Sequence, residues 1–221
     1  MSMKREAFDC YFIEYRDHLR GEVQRVYAFA SVFFQIQDSK AKHLAAINVA
    51  PAFFQVVDNA LFSGIILWID KLLDEQGERG LFNFLTFIEN NRKWLSTKEL
   101  QRRRAYPDNH WMLADRRTVT LESIEEDRQS FRALTGLPSV QIRRDKFHGH
   151  FDNRYFFDRK KMDNDAPLAR SEVDEILAAI GKVLNAYSAD FDGSLQSWGA
   201  VNLEDLDQLL RAVKKGSRAG A

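Results

Sequence analysis

The stretch Arg143-Arg144-Asp145-Lys146-Phe147-His148-Gly149-His150-Phe151-Asp152 places two guanidinium groups, two imidazoles and a neighbouring carboxylate within ten residues. A guanidinium is always charged, and its planar fork matches phosphate oxygens. An unperturbed histidine, with a pKa of about 6.5, gives or takes a proton near neutrality. Arg144 with His148 or His150 therefore suits phosphodiester chemistry, the arginine stabilising charge on the phosphoryl oxygens and the histidine acting as general acid or base. This chemistry needs no metal ligand set and no cofactor. His148-x-His150-x-Asp152 is a poor metal site, because alternate residues of a helix do not converge.

Spacing alone leaves the pairing open. On an ideal helix Arg144 and His148 lie within roughly 40° of each other, and Arg144 and His150 about 120° apart. Arg143 and His150, seven residues apart, share a face. Gly149 weakens the helix and can turn His150 back toward Arg144. A site shared between two subunits relaxes the same-face requirement. The bland alternative is a solvated helix face, with Asp145 and Asp152 as local ion-pair partners and the histidines near a helix end.

The elements that must position this segment are helical. Apolar residues recur at spacings of three and four, without period-two alternation. The spacing predicts a helix over 4–37 with Phe8, Phe12, Tyr15, Leu19, Val23, Val26, Ala30 and Phe33 as its apolar stripe. A second is expected over 41–73, with Pro51 at a kink or early break and Val56, Leu61, Ile65, Trp68, Ile69 and Leu72 facing the core. A shorter helix over 81–94 follows, its Phe82, Phe84, Phe87 and Trp94 reading as core, and Ser96 or Thr97 caps another. A loop at 106–110 and a helix over 118–134 precede Gly136-Leu137-Pro138. The motif helix opens near Pro138 or Ser139, because proline is best tolerated in a first turn. Residues 152–170 read as loop, with Ser171 capping a helix over 172–188. An amphipathic helix over 203–214 and a disordered tail over 214–221 close the chain. The expectation is an all-α antiparallel helical bundle with long N-terminal helices and an extra C-terminal helix. Residues 1–190 would form the main domain, and 191–221 the C-terminal helix and tail.

An Arg followed after four to six residues by His, on a late helix of an α-bundle, resembles the signature of the HEPN superfamily. The string from Arg144 to Asp152 is similar to the Arg-(Asn/Asp)-Lys-x-x-Ala-His-x-Asp pattern of its AbiU-type abortive-infection branch, with Gly149 in place of alanine and Asp145 as the polar residue after the arginine. Arg143 with His148 fits the bare spacing as well. The resemblance rests on the motif and extends through the helical layout over 1–190. It implies a metal-independent endoribonuclease working as a homodimer, two motif helices meeting in one composite cleft. Arg144 would hold the scissile phosphate, His150 would shuttle the proton and Asp145 would orient the arginine or the substrate. Arg143, Lys146 and His148 would bind substrate. RNA is the implied substrate, with its 2′-hydroxyl as nucleophile and a cyclic phosphate and 5′-hydroxyl as products. A toxin or phage-defence role, with a cognate antitoxin as partner, is implied too.

Composition bounds these readings. With 32 Lys and Arg against 32 Asp and Glu, global charge gives nucleic-acid binding no support. The span 92–161 nevertheless holds seventeen Lys and Arg against ten Asp and Glu. Within it, Arg102-Arg103-Arg104 and Arg116-Arg117 read as solvated surface or, less simply, as a track for RNA. His18, His43 and His110 read as structural or exposed. Cys10 is the single cysteine, which suits a reducing compartment. The longest apolar run, 60–69, is half of what a membrane span needs, so a cytoplasmic protein with no membrane partner is expected. Two other classes remain: a non-catalytic helical module binding a nucleotide, RNA or protein, and a purely structural interaction protein.

Overall fold

The computed structural model describes residues 3–114, 116–150, 152–158, 160–199 and 204–219. Phe151 of the motif, Leu203 at the expected start of the last helix, and residues 220–221 of the tail lie outside them. Among the described residues there are ten α-helices and no strand. The fold is an all-α helical bundle.

Helix α1 (Arg5–Ile47) runs for 43 residues, about 65 Å at 1.5 Å per residue. It does not stop near 37 as expected. The polar run Asp38-Ser39-Lys40 continues the helix, and the break comes only at 48–50. Pro51 then opens α2 (Pro51–Leu73) rather than kinking it, since an N1 proline loses no intrahelical hydrogen bond. The local distortion falls instead at His43 in α1, with non-helical φ −127° and ψ 26°.

Pairings between helices give the topology. Glu22 meets Trp68, Phe33 meets Phe62 and Gln37 meets Asp58, so α1 and α2 are antiparallel. Phe12 stacks on Phe191 and Arg170 reaches Asp38, which sets α9 (Arg170–Asp192) antiparallel to α1 as well. Helix α3 (Leu81–Asn91) lays Phe84 and Phe87 against Tyr15 and Phe8. The stripe Phe8, Phe12, Tyr15, Leu19, Val23, Val26 and Ala30 is buried as its period requires, joined by Ile65, Ile69, Phe84, Ile180 and Leu184. Phe33 is packed at the edge of this core. A 3₁₀ turn (Arg92–Leu95) leads to α4 (Thr97–Arg104), capped by Ser96. Helix α5 (Leu121–Arg132) opens at Thr120 rather than 118, because Thr120 and Ser123 cap each other's backbone N–H groups.

Four further stretches depart from the sequence reading. The first half of α2 projects beyond the core, so Val56 is 67% exposed instead of inward, alongside Phe53. Helix α2 is also long and apolar enough, by length and composition, to cross a membrane, which the count of one uninterrupted run missed. Its second half, from Gly64 to Leu73, is core. Residues 152–170 are not one loop but contain α7 (Asn153–Phe156) and α8 (Lys160–Asp165). Helix α9 starts at Arg170, where the Glu172 carboxylate accepts from the Ala169 N–H at 2.6 Å, and Ser171 is not the cap. It ends at Gly193, whose φ of +76° is the left-handed conformation a helix C-cap requires. The stretch expected as a tail from 214 continues α10 (Glu204–Ala219). Leu210 of α10 packs on Ala46 and Ile47, and His43 Nε2 stands 3.0 Å from Asp207 Oδ1.

Arg102 and Arg104 are exposed, as solvated surface, whereas Arg103, Arg116 and Arg117 are tied into the bundle. Arg103 ties α4 to α1 through Asp9 at 2.6 Å. Arg116 and Arg117 converge on the buried Asp190 of α9 at 3.0 and 2.8 Å. Removing a buried carboxylate that compensates two guanidinium groups leaves their charge unpaired. We predict that Asp190→Ala lowers unfolding free energy by about 3–5 kcal/mol in denaturant titrations; a loss under about 1 kcal/mol would show the pair to be ordinary surface charge.

Candidate functional site

The motif begins on α6 (Leu137–Arg143) and its register decides which arginine faces where. Leu137 and Val140 are buried, and a further step of three puts Arg143 on the same inward face. Arg143 is accordingly buried. Its Nε donates to the Ala166 carbonyl at 2.8 Å, an Nη pairs with Asp163 at 3.0 Å, and the guanidinium lies 5.3 Å from the Phe62 ring centroid. It is spent on anchoring α8 and α2, so no substrate contact is assigned to it. Arg144, one residue on, turns to the end of α2. Its Nε stands 2.9 Å from Asp70 Oδ2 and an Nη stands 2.8 Å from Asp145 Oδ1. The Nε contact is an ion pair whose N–H is not aligned on the oxygen.

Asp70 is the residue sequence reasoning missed. It is buried in the last turn of α2, between Ile69 and Leu72 of the core. Burial holds its carboxyl above the usual range, an effect that Arg144 opposes only in part. One signal was available: a carboxylate inside the apolar run 61–73 needs a cationic partner somewhere in the fold.

After Arg143 the backbone widens into a π-helical turn over Arg144–His148, closed by Gly149 N–H on the Arg144 carbonyl at 2.7 Å. A Cβ at 149 would stand 2.8 Å from that same oxygen, so the close approach requires glycine. The turn sets Gly149 over Arg144 and carries His150 past the helix end. His148 goes inward, against Phe62 and Phe147 at edge-on angles. Its Nε2 is buried with no hydrogen-bond partner. Burial, and then the positive charge of Arg143, push its pKa down to about 4, so the ring is neutral at neutral pH. His150 is exposed.

His148 and His150 line one cleft of about 370 Å³ with Lys146, Asp152, Ser63 and Tyr155. Lys146 reaches Asp152 at 3.3 Å, and Asp152 caps α7 by accepting from the Arg154 N–H at 2.9 Å. Those two donors hold the Asp152 carboxyl below its ordinary range. Tyr155, Met162 and Ala166 form a small separate core with Phe147 beneath the cleft. The structure thus brings Lys146, His148 and His150 together. Arg144 and Asp145 are not among the described residues of that lining; Arg144 is paired with Asp70 of α2 and with Asp145. Among the described residues no group of three His, Cys, Asp or Glu side chains is arranged to hold a metal.

The family model HEPN_AbiU2, described as AbiU2, matches residues 9–211. The chain belongs to the HEPN AbiU2 family. No curated protein and no solved structure matches it. The matched span of this AbiU2 domain runs from α1 into α10 and contains the whole Arg144–Asp152 motif.

Two outcomes follow for this site. Arg144→Ala strands the buried Asp70, so it should cost about 1–3 kcal/mol in denaturant melts, and Asp70→Asn in the same chain should recover most of that loss. Additive losses from the two substitutions would show that the pair does not couple. For His148, the folded pKa of about 4 lies below the ordinary value of 6.5, so the unfolded chain binds the proton first as pH falls. Stability should therefore be intact above about pH 6.5 and decline down to about pH 4. His148→Phe should flatten that window in pH-dependent melts, and an unchanged slope would remove the buried neutral imidazole from the account.

Proposed function

We propose that this HEPN module is a metal-independent endoribonuclease acting as a homodimer. Arg144 stabilises the scissile phosphate and His150 is the general acid and base. Asp145 helps orient the guanidinium until substrate displaces it, and Lys146 and His148 line the substrate cleft. The observation that carries the reading is the division of the motif within one chain: both imidazoles line a cleft, and Arg144, paired with Asp70, is not among the described residues of that lining. A second copy related by a two-fold axis supplies an arginine to each cleft. His150 suits proton transfer better than His148, whose pKa of about 4 leaves almost no acid form at neutral pH.

In the reaction, an imidazole takes the proton of the ribose 2′-hydroxyl, and the 2′-oxygen attacks phosphorus. The bond to the 5′-oxygen breaks, and that oxygen leaves with a proton from imidazolium. The products are a 2′,3′-cyclic phosphate and a 5′-hydroxyl. Arg144 neutralises charge gathering on the non-bridging oxygens. A toxin or phage-defence role in the cytoplasm, restrained by an antitoxin, is the biological setting this chemistry suits.

A second reading has its own support. Asp70 and Asp145 together neutralise Arg144, which favours a module that binds a nucleotide, RNA or protein without chemistry. Purified protein incubated with RNA in EDTA separates the two. The nuclease reading expects cyclic-phosphate ends, and a loss of about 10²–10⁴-fold for His150→Ala, an exposed position where folding is preserved. Cleavage that survives both His150→Ala and Arg144→Ala would overturn it, and RNA binding without products would favour the second reading.

A further inference from the structure

Many of the arginines spend their charge on carboxylates, as Arg16, Arg103, Arg116, Arg128 and Arg132 do. Three cations on the 3₁₀ turn after α3 and at the start of α4 do not. Arg92 donates to the Glu89 carbonyl at 3.0 Å, Lys93 lies 4.5 Å over the Trp94 ring, and neither they nor Lys98 make an ion pair among the described residues. All three are exposed and line one cleft of about 580 Å³, together with the hydroxyl residues Thr97 and Thr118. Among the described residues its lining contains no Asp or Glu. Arg117 also lines it, with its own charge held by Asp190. The first turn of α4 forms part of the wall; Ser96 takes the Glu99 N–H, and the N–H groups of Thr97 and Lys98 have no intrahelical acceptor.

We propose that this cleft binds phosphate groups. Three unmatched positive charges on two elements surround a concavity with hydroxyl donors and a helix start. A planar carboxylate offers two oxygens in one direction, whereas a phosphate offers three or more spread tetrahedrally, which suits donors arriving from several sides. The chain as a whole is neutral, so the attraction is local to this surface. The cleft shares no lining residue with the motif cleft, and the proposal stands whether or not the chain cleaves RNA. The phosphates belong either to the backbone of a ribonucleotide strand or to a free polyphosphate.

The full chain and an Arg92→Ser/Lys93→Ser/Lys98→Ser variant are compared in two titrations. In one, inorganic tripolyphosphate is followed by calorimetry. In the other, a single strand with 2′-O-methyl riboses, which cannot be cleaved, is followed by anisotropy across a salt series. A free-polyphosphate site predicts tripolyphosphate binding that weakens about tenfold or more in the variant. A backbone site predicts a salt-dependence slope that flattens by about 2, at roughly 0.7 per phosphate contact. No difference between the chains in either titration overturns the proposal. Citrate displacing tripolyphosphate as well as pyrophosphate does overturns the assignment to phosphate. Equal melting temperatures certify the variant's fold; should it melt lower, Lys93→Gln/Lys98→Gln, which keeps the Arg92 bond to Glu89, is read the same way.

Discussion

A buried carboxylate at the end of α2 must be compensated, and Arg144 is what compensates it. Asp70 sits among Ile66, Ile69 and Leu73, where an uncompensated charge is costly. The pair therefore fixes where the motif turn docks on the bundle. Once Arg144 is held against α2, the widened turn closed at Gly149 has one place to go, and His148 and His150 follow it into the cleft. Arg143 secures the other side by gripping the α8 end and the Phe62 ring. The two adjacent arginines thus act as a double clamp, one buried and one half-exposed. The half-exposed one keeps a face toward solvent, where a phosphate can reach it.

The same interaction creates a tension in function. An arginine held by two carboxylates is well positioned and partly neutralised at once. A phosphate approaching it competes with Asp145, which is exposed and can yield, and not with Asp70, which is buried. Orientation by the buried partner and release by the exposed one is the division of labour that the proposed phosphate contact of Arg144 would need.

How much of this was legible in the sequence varies by interaction. The α1 stripe was readable because a period of three to four repeated over about seven turns leaves little choice of face. The end of α1 was not, since Asp38-Ser39-Lys40 carries the composition of a break but lies along a helix whose packing against α2 and α10 continues past it. The choice between Arg143 and Arg144 was available from Leu137 and Val140, which set the register of α6. The π-helical turn was not, because it depends on a 2.7 Å approach of Gly149 to a carbonyl that no spacing rule encodes. Asp70 lies 74 residues from its partner, and only the fold brings them together.

A mixing experiment tests the central claim, that each cleft is completed by the arginine of a second copy. Chains carrying Arg144→Ala and chains carrying His150→Ala, each inactive alone, are unfolded, mixed in equal amounts and refolded together, and RNA cleavage is measured. A shared cleft predicts recovery to about a quarter of wild-type activity, because half the dimers are mixed and each regains one of two sites. A mixture as inactive as its components, with mixed dimers shown to be present, would contradict it.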